Sequence, residues 1–163
     1  MSSVTITLPS KVLEGVRKRA ESEGKPLEEY IAEAFFKQLD IKDPEAKVEL
    51  HLKLCEKYLE EAEAFLLKKD YVQASKKAWD ASSQILKALA AKEGKELRSH
   101  TLLWKYANEL AERLGDGELR HLWRTANVLH QNFYESWMPP REVELSVGDV
   151  KTFVERLRAL LNV

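Results

Sequence analysis

The stretch Leu122–Pro140, LWRTANVLHQNFYESWMPP, decides how the chain is read. At about 100° per residue, Leu119, Leu122, Ala126, Leu129 and Phe133 fall on one side of a helix and form a core-facing stripe. Trp123, Asn127, His130 and Tyr134 form a second stripe beside it. Arg120, Arg124 and Gln131 lie further round, away from the core. A stripe that mixes aromatic and polar groups suits a boundary: a helix–helix contact, a dimer interface or a ligand groove. Tertiary packing is the plainer account of Trp123 and Tyr134. The helix stops before Pro139-Pro140, where the chain can no longer donate backbone hydrogen bonds.

Working outward from this helix, apolar residues recur at helical spacing over most of the chain. Pro44 suits a first helical position and opens a pattern to about Lys69, with Val48, Leu52, Cys55, Leu59, Ala62 and Leu66 inward. Asp70 is placed to cap the next helix, about Tyr71 to Lys92, whose stripe is Ala74, Ala78, Ala81, Ile85 and Leu89. The small residues at one end of that stripe let a neighbour approach closely. A third helix, near Ser99 to Leu114, carries Leu102, Leu103, Tyr106, Leu110 and Leu114 and stops at Gly115-Asp116-Gly117. After the helix of the opening stretch comes a last one, about Val143 to Leu161, with Val147, Val150, Val154, Leu157 and Leu161. Short connections predict antiparallel neighbours, so residues 44–163 read as an antiparallel up-and-down helical bundle.

Residues 1–40 read differently. SVTITL, residues 3–8, alternates Val4, Ile6 and Leu8 with short polar residues, the period of a half-buried strand. Ser10 is a candidate N-cap for a helix ending near Gly24, and a second helix follows from about Leu27 to Leu39. A lone strand cannot satisfy its own backbone, so the same strand of a second chain is the economical partner. This strand–helix–helix segment resembles a ribbon-helix-helix domain, a dimeric fold whose paired strands enter the DNA major groove. In that family the strand residues reading the bases are commonly long and polar or basic. Here they are Ser3, Thr5 and Thr7, and residues 1–40 hold six basic and seven acidic residues. A dimerising role therefore ranks above DNA binding for this segment.

Composition bounds the rest. The chain has 163 residues, 33% charged and 44% hydrophobic, enough for an ordinary domain with a real core. With 26 basic against 27 acidic residues, bulk charge does not advertise nucleic-acid binding, and any such contact needs a local patch. No apolar run approaches the roughly 18 residues of a membrane span, and MSSVTITLPSK lacks a signal peptide's apolar centre. A cytosolic protein with no membrane partner is expected. The single cysteine, Cys55, excludes an intramolecular disulfide and a Cys-rich zinc site, and is read as buried and inert. No metal-ligand spacing or cofactor motif is evident, so none of either is expected. Asn and Gln together number eight against abundant Lys and Glu, a bias similar to that of thermophile proteins.

LWRTANVLHQNFYESWMPP, followed by VKTFVERLRALL (150–161) and preceded by YVQASKKAWDASSQILKAL (71–89), resembles the archaeal PaREP family. That family is placed within the HEPN superfamily of small helical bundles, and the resemblance covers about residues 45–161. It implies a HEPN-like fold. Many HEPN proteins are metal-independent ribonucleases whose arginine and histidine, four to six residues apart, act in a composite dimer site. Others serve as RNA-binding or toxin–antitoxin modules, often with nucleotidyltransferase partners. On this resemblance Arg124 matches the arginine and His130 the histidine, and Thr125 departs from the polar residue that often follows the arginine.

The chemistry fits those residue types. A ribose 2′-hydroxyl supplies the nucleophile; histidine, with its unperturbed pKa near 6.5, moves a proton; arginine holds the phosphate and its transition-state charge. Six residues apart on one helix, Arg124 and His130 are separated by about 9 Å of rise and about 120° of rotation. Substrate or a second subunit must bridge them. Asn127 and Tyr134 flank them, and Arg120 with His121 extends the basic side. His100, at a helix start after Ser99, is a candidate phosphate contact. Glu135 is a candidate to orient His130, and His51 stands alone on a charged stretch. The expected function is a binding or toxin–antitoxin-type module for RNA, nucleotide or a partner protein, assembled as a homodimer. The alternatives are a metal-independent endoribonuclease and a DNA-binding autoregulator.

Overall fold

The computed structural model describes residues 2–162. The chain divides after Asp43 into two compact units. Unit 1 holds α1 (Ser10–Ser22) and α2 (Leu27–Gln38). Unit 2 holds α3 (Pro44–Leu67), α4 (Tyr71–Lys92), α5 (His100–Leu114), α6 (Gly117–Glu135) and α7 (Pro140–Ala159). The described residues form a helical protein without strands.

The expected strand at residues 3–8 is therefore absent. Ladder hydrogen bonds need a partner, and one chain offers residues 2–9 none, so Val4 and Ile6 stay exposed. Ser10 is not the N-cap either. Pro9 occupies that position with ψ 141°, Ser10 is the first helical residue, and Pro26 opens α2 in the same way with ψ 148°. Gly24, at φ +66°, makes the reversal between the helices, where Lys25 N–H donates to the Ala20 carbonyl at 2.9 Å. Lys25 then pairs with Glu33 at 2.5 Å. Ala20 and Glu29 are the only buried residues of this unit among those described.

In unit 2 the contacts fix the helix directions. His51 of α3 meets Gln84 of α4 at 2.7 Å, and the Lys77 ammonium of α4 lies 5.1 Å from the Tyr58 ring centre of α3. Early α3 thus faces late α4, an antiparallel hairpin closed by Lys68, Lys69 and Asp70. Lys69 takes φ +60° in the turn, and Asp70 accepts the Gln73 N–H at 3.1 Å. Ser75 and Asn132 (3.0 Å), with Trp79 and Trp123 (5.3 Å between ring centres), bring α6 against α4. Arg156 of α7 reaches Asp116 and Glu118 at the start of α6, at 3.2 and 2.9 Å. Trp123 stacks on Phe153 further along, so α6 and α7 are antiparallel.

The up-and-down expectation fails between α4 and α5. His100, the first residue of α5, stacks on Trp79 near the start of α4. Tyr106 and Arg113, further along α5, both bind Glu93 just past the end of α4. The two helices run in roughly the same direction. Residues 93–99 carry the chain back along α4, pinned by buried Leu97. Lys47–Glu96 and Arg98–Glu96 ion pairs tie that segment down from outside and hold the Glu96 carboxyl down at about 2. Seven residues at about 3.3 Å each span the roughly 20 Å this return needs.

The core is centred on α4. Sixteen of its 22 residues are buried, and Ala81–Ala91 is buried without a break. The expected stripe is part of that surface, but the helix is covered on every side. Its hydroxyls make this tolerable: Ser75, Ser82 and Ser83 donate to the carbonyls of Tyr71, Ala78 and Trp79, four residues back. His51, read as a lone histidine on a charged stretch, is buried and bonded to Gln84. Cys55 is fully buried, and desolvation pushes its thiol up to about 12.

Candidate functional site

The site lies where α4, α5 and α6 meet. Trp79 of α4 stacks on His130 of α6 with ring centres 4.4 Å apart and planes within 7°. His100 of α5 stacks on both, at 5.1 Å from Trp79 and 4.8 Å from His130. Tyr134 meets His130 edge-on at 5.3 Å. Trp123, buried beneath, touches Trp79, and Trp104 of α5 abuts Trp123 edge-on at 5.8 Å. The result is a continuous row of rings in which Trp79 and Trp123 are buried, His130 is half-buried, and His100, Trp104 (41% exposed) and Tyr134 (73% exposed) are open to solvent.

Local sequence explains the placement. Ser99 caps α5 by accepting the Leu102 N–H at 3.2 Å, which sets His100 at the first helical position over Trp79. Asp116 caps α6 through Glu118 N–H at 3.1 Å, and Gly115 ends α5 at φ +62°. At the far end of α6, Asn132 is buried. Its Oδ1 accepts the N–H groups of Trp137 (2.9 Å) and Met138 (2.8 Å), while its Nδ2 donates to Ser75 Oγ. This clamp fixes the turn through Ser136, at φ +48°, and joins it to α4.

Electrostatics follow from the packing. Desolvation, then the neighbouring His100 and Lys76, lower His130 to about 4, so its imidazole is neutral at neutral pH. His100 is also lowered, first by partial burial and then by Lys87. Flat, uncharged rings present π-faces instead of fixed cations. The cations lie beside them. Unit 2 has seven arginines; Arg98, Arg113, Arg141, Arg156 and Arg158 are in ion pairs. The two without an ion pair among the described residues, Arg120 and Arg124, are exposed on α6. On the helical wheel they lie about 50° and 90° round from the ring stripe, on its solvent side.

The sequence-derived residues divide accordingly. His130, His100 and Tyr134 converge on Trp79. Asn127 borders them but spends its Nδ2 on the Trp123 carbonyl at 2.8 Å. Arg124 and Arg120 stand apart from the rings on the same helix. Glu135 does not orient His130: it accepts from Gln131 Nε2 at 3.1 Å. His121 is exposed. Sequence reading missed Trp79, Trp104 and Asn132. Only the concentration of tryptophans signalled the first two, all four lying in unit 2 before the Pro139-Pro140 break, at positions 79, 104, 123 and 137. Among the described residues, no group of three or more His, Cys, Asp or Glu is arranged to hold a metal ion. No helix there is long and apolar enough to cross a membrane.

Fold and site together define a helical bundle with an aromatic–imidazole face. The chain belongs to the archaeal PaREP1/PaREP8 family, whose sequence model matches residues 50–154, a span containing every ring of that face. A crystal structure of a protein from Sulfolobus solfataricus is similar: 30% identical, TM-score 0.59, covering 66% of this chain and 96% of that one. No curated protein matches the chain.

Proposed function

We propose that the chain is a HEPN-like binding module of the toxin–antitoxin type that takes RNA at the α4–α5–α6 face. The observation that carries this reading is the group of neutral, near-parallel rings on the same face as the two arginines of unit 2 without an ion pair among the described residues, Arg120 and Arg124. Bases stack on such rings irrespective of sequence, and guanidinium groups hold phosphates. A homodimer is the assembly that fits: unit 1 buries too little to stand alone, and a second copy can pair with residues 3–8. A nucleotidyltransferase is the protein partner this reading allows. DNA binding through unit 1 ranks below it, since Ser3, Thr5 and Thr7 are short.

A second reading is metal-independent RNA cleavage by Arg124 and His130. It is favoured by one observation: a neutral imidazole shares its helix with an arginine that has no ion pair among the described residues, so where substrate or a second subunit bridges the two, the imidazole can accept the 2′-hydroxyl proton while the arginine holds the phosphate. With His130 near 4, the imidazolium is a strong acid toward the leaving oxygen but rarely populated at neutral pH, so turnover by this pair is slow. Both readings are tested with labelled single-stranded RNA in EDTA, using wild type and an Arg124→Ala/His130→Ala double variant. Binding that drops at least tenfold in the variant, without cleavage by either protein, supports the module. Cleavage by wild type alone supports the ribonuclease. Equal affinity in both proteins removes the site from either reading.

A further inference from the structure

Trp104 was not among the residues that sequence reading selected, and no packing need explains its exposure. It lies one helical turn beyond His100 on α5, on the same side, and its ring abuts buried Trp123 while 41% of its surface faces solvent. Lys105 follows it, exposed and without an ion pair among the described residues. The row of rings runs from Trp104 through Trp123, Trp79 and His130 to Tyr134. On α6 alone, Trp123 to Tyr134 spans eleven residues, about 16 Å of rise. A stacked strand advances about 3.4 Å per nucleotide, so the row exceeds one base several-fold. Of its three exposed rings, Trp104 and Tyr134 stand at opposite ends, with His100 and half-buried His130 between them.

From this arrangement we infer that Trp104 forms a second base-stacking subsite, and that the site takes a single-stranded oligoribonucleotide in preference to a mononucleotide. The inference rests on the RNA-binding reading given above. Neutral rings at both ends favour bases over an acidic peptide, which would be held by the arginines alone. Lys105 supplies a phosphate contact at the α5 end of the path, as Arg120 and Arg124 do along α6.

The test compares adenosine 5′-monophosphate with a four-nucleotide oligoadenylate, measured by tryptophan fluorescence and calorimetry on the full chain in EDTA. Wild type is expected to bind the oligonucleotide at least tenfold more tightly. Trp104→Ala is expected to weaken the oligonucleotide by about 5- to 100-fold, the worth of one base stack, and the mononucleotide far less. Trp104→Phe, which keeps a flat ring, restores most of the loss. A merely structural role for Trp104 would weaken both ligands alike, and that result overturns the inference. So does an oligonucleotide affinity untouched in Trp104→Ala, while the reading at His130 survives. Failure of wild type to bind either ligand overturns both.

Discussion

His130→Phe keeps a flat ring against Trp79 and His100 but removes the proton-accepting nitrogens, so it isolates the cost of charging this side chain. The imidazole falls from an ordinary 6.5 to about 4 because desolvation, then His100 and Lys76, oppose the cation. A base whose pKa is lowered on folding binds its proton first in the unfolded chain. Its contribution to stability is therefore complete above pH 6.5 and is lost as pH falls toward 4. At about 1.4 kcal/mol per tenfold, the full drop sets a ceiling near 3 kcal/mol. The ring is only half buried, and solvent screening reduces this to about 1 kcal/mol at pH 4.5. Urea denaturation of wild type and His130→Phe at pH 7.5, 6, 5 and 4.5 gives the comparison. Wild type should lose about 1 kcal/mol relative to the variant across that range, and other acid effects cancel in the difference. A constant gap at all pH values would refute the desolvated, stacked imidazole.

Three further outcomes follow from particular contacts. Asn132→Ala strands the N–H groups of Trp137 and Met138 and leaves Ser75 without its donor; the loss should be about 2–4 kcal/mol by denaturation, with a rise in Trp137 mobility by fluorescence anisotropy. Cys55 should resist a thiol reagent in the native protein at pH 8 and react fully in denaturant, because burial both hides it and pushes its thiol up to about 12; fast native labelling would contradict the packing of α3. Gly115→Ala should destabilise by about 1 kcal/mol through its φ of +62° alone, since an added Cβ there meets no neighbour, and thermal melts decide it.

The helices of unit 2 were legible because apolar residues recur at helical spacing and because Asp70, Ser99, Gly94 and Gly115 punctuate them. The inward sides of α6 and α7 were legible for the same reason: Leu119, Leu122, Ala126 and Leu129, and Val147, Val150, Val154 and Leu157, are all buried. What periodicity could not show is a helix covered on every side. Ala81–Ala91 reads as a stripe with polar residues opposite, yet Ser82, Ser83 and Gln84 are buried because each finds a partner within reach. Helix direction was misread at residues 93–99, since seven residues can either turn or return, and only the partners of Glu93 and His100 distinguish these. At the site, His130, His100 and Tyr134 were legible by residue type. Trp79 was not, because an aromatic on a core helix has the same pattern whether or not an imidazole stacks on it. Asn132 was hidden too: it lies off the core stripe of α6, and its burial comes from the turn that follows.

The enclosure of α4 has a consequence for how the molecule breathes. A helix flanked by α3, α5, α6 and α7 has no edge from which to fray, so its central amide protons can meet solvent only when the whole unit opens. Deuterium should enter residues 81–91 last, at a rate set by global unfolding, while the exposed turns of α6 exchange far earlier. Trp79 projects from α4 just before that slow segment, and His100 and Tyr134 project from α5 and α6. The ring cluster is thus anchored on one side by the slowest-exchanging helix of the unit, while its other members sit on helices with exposed faces.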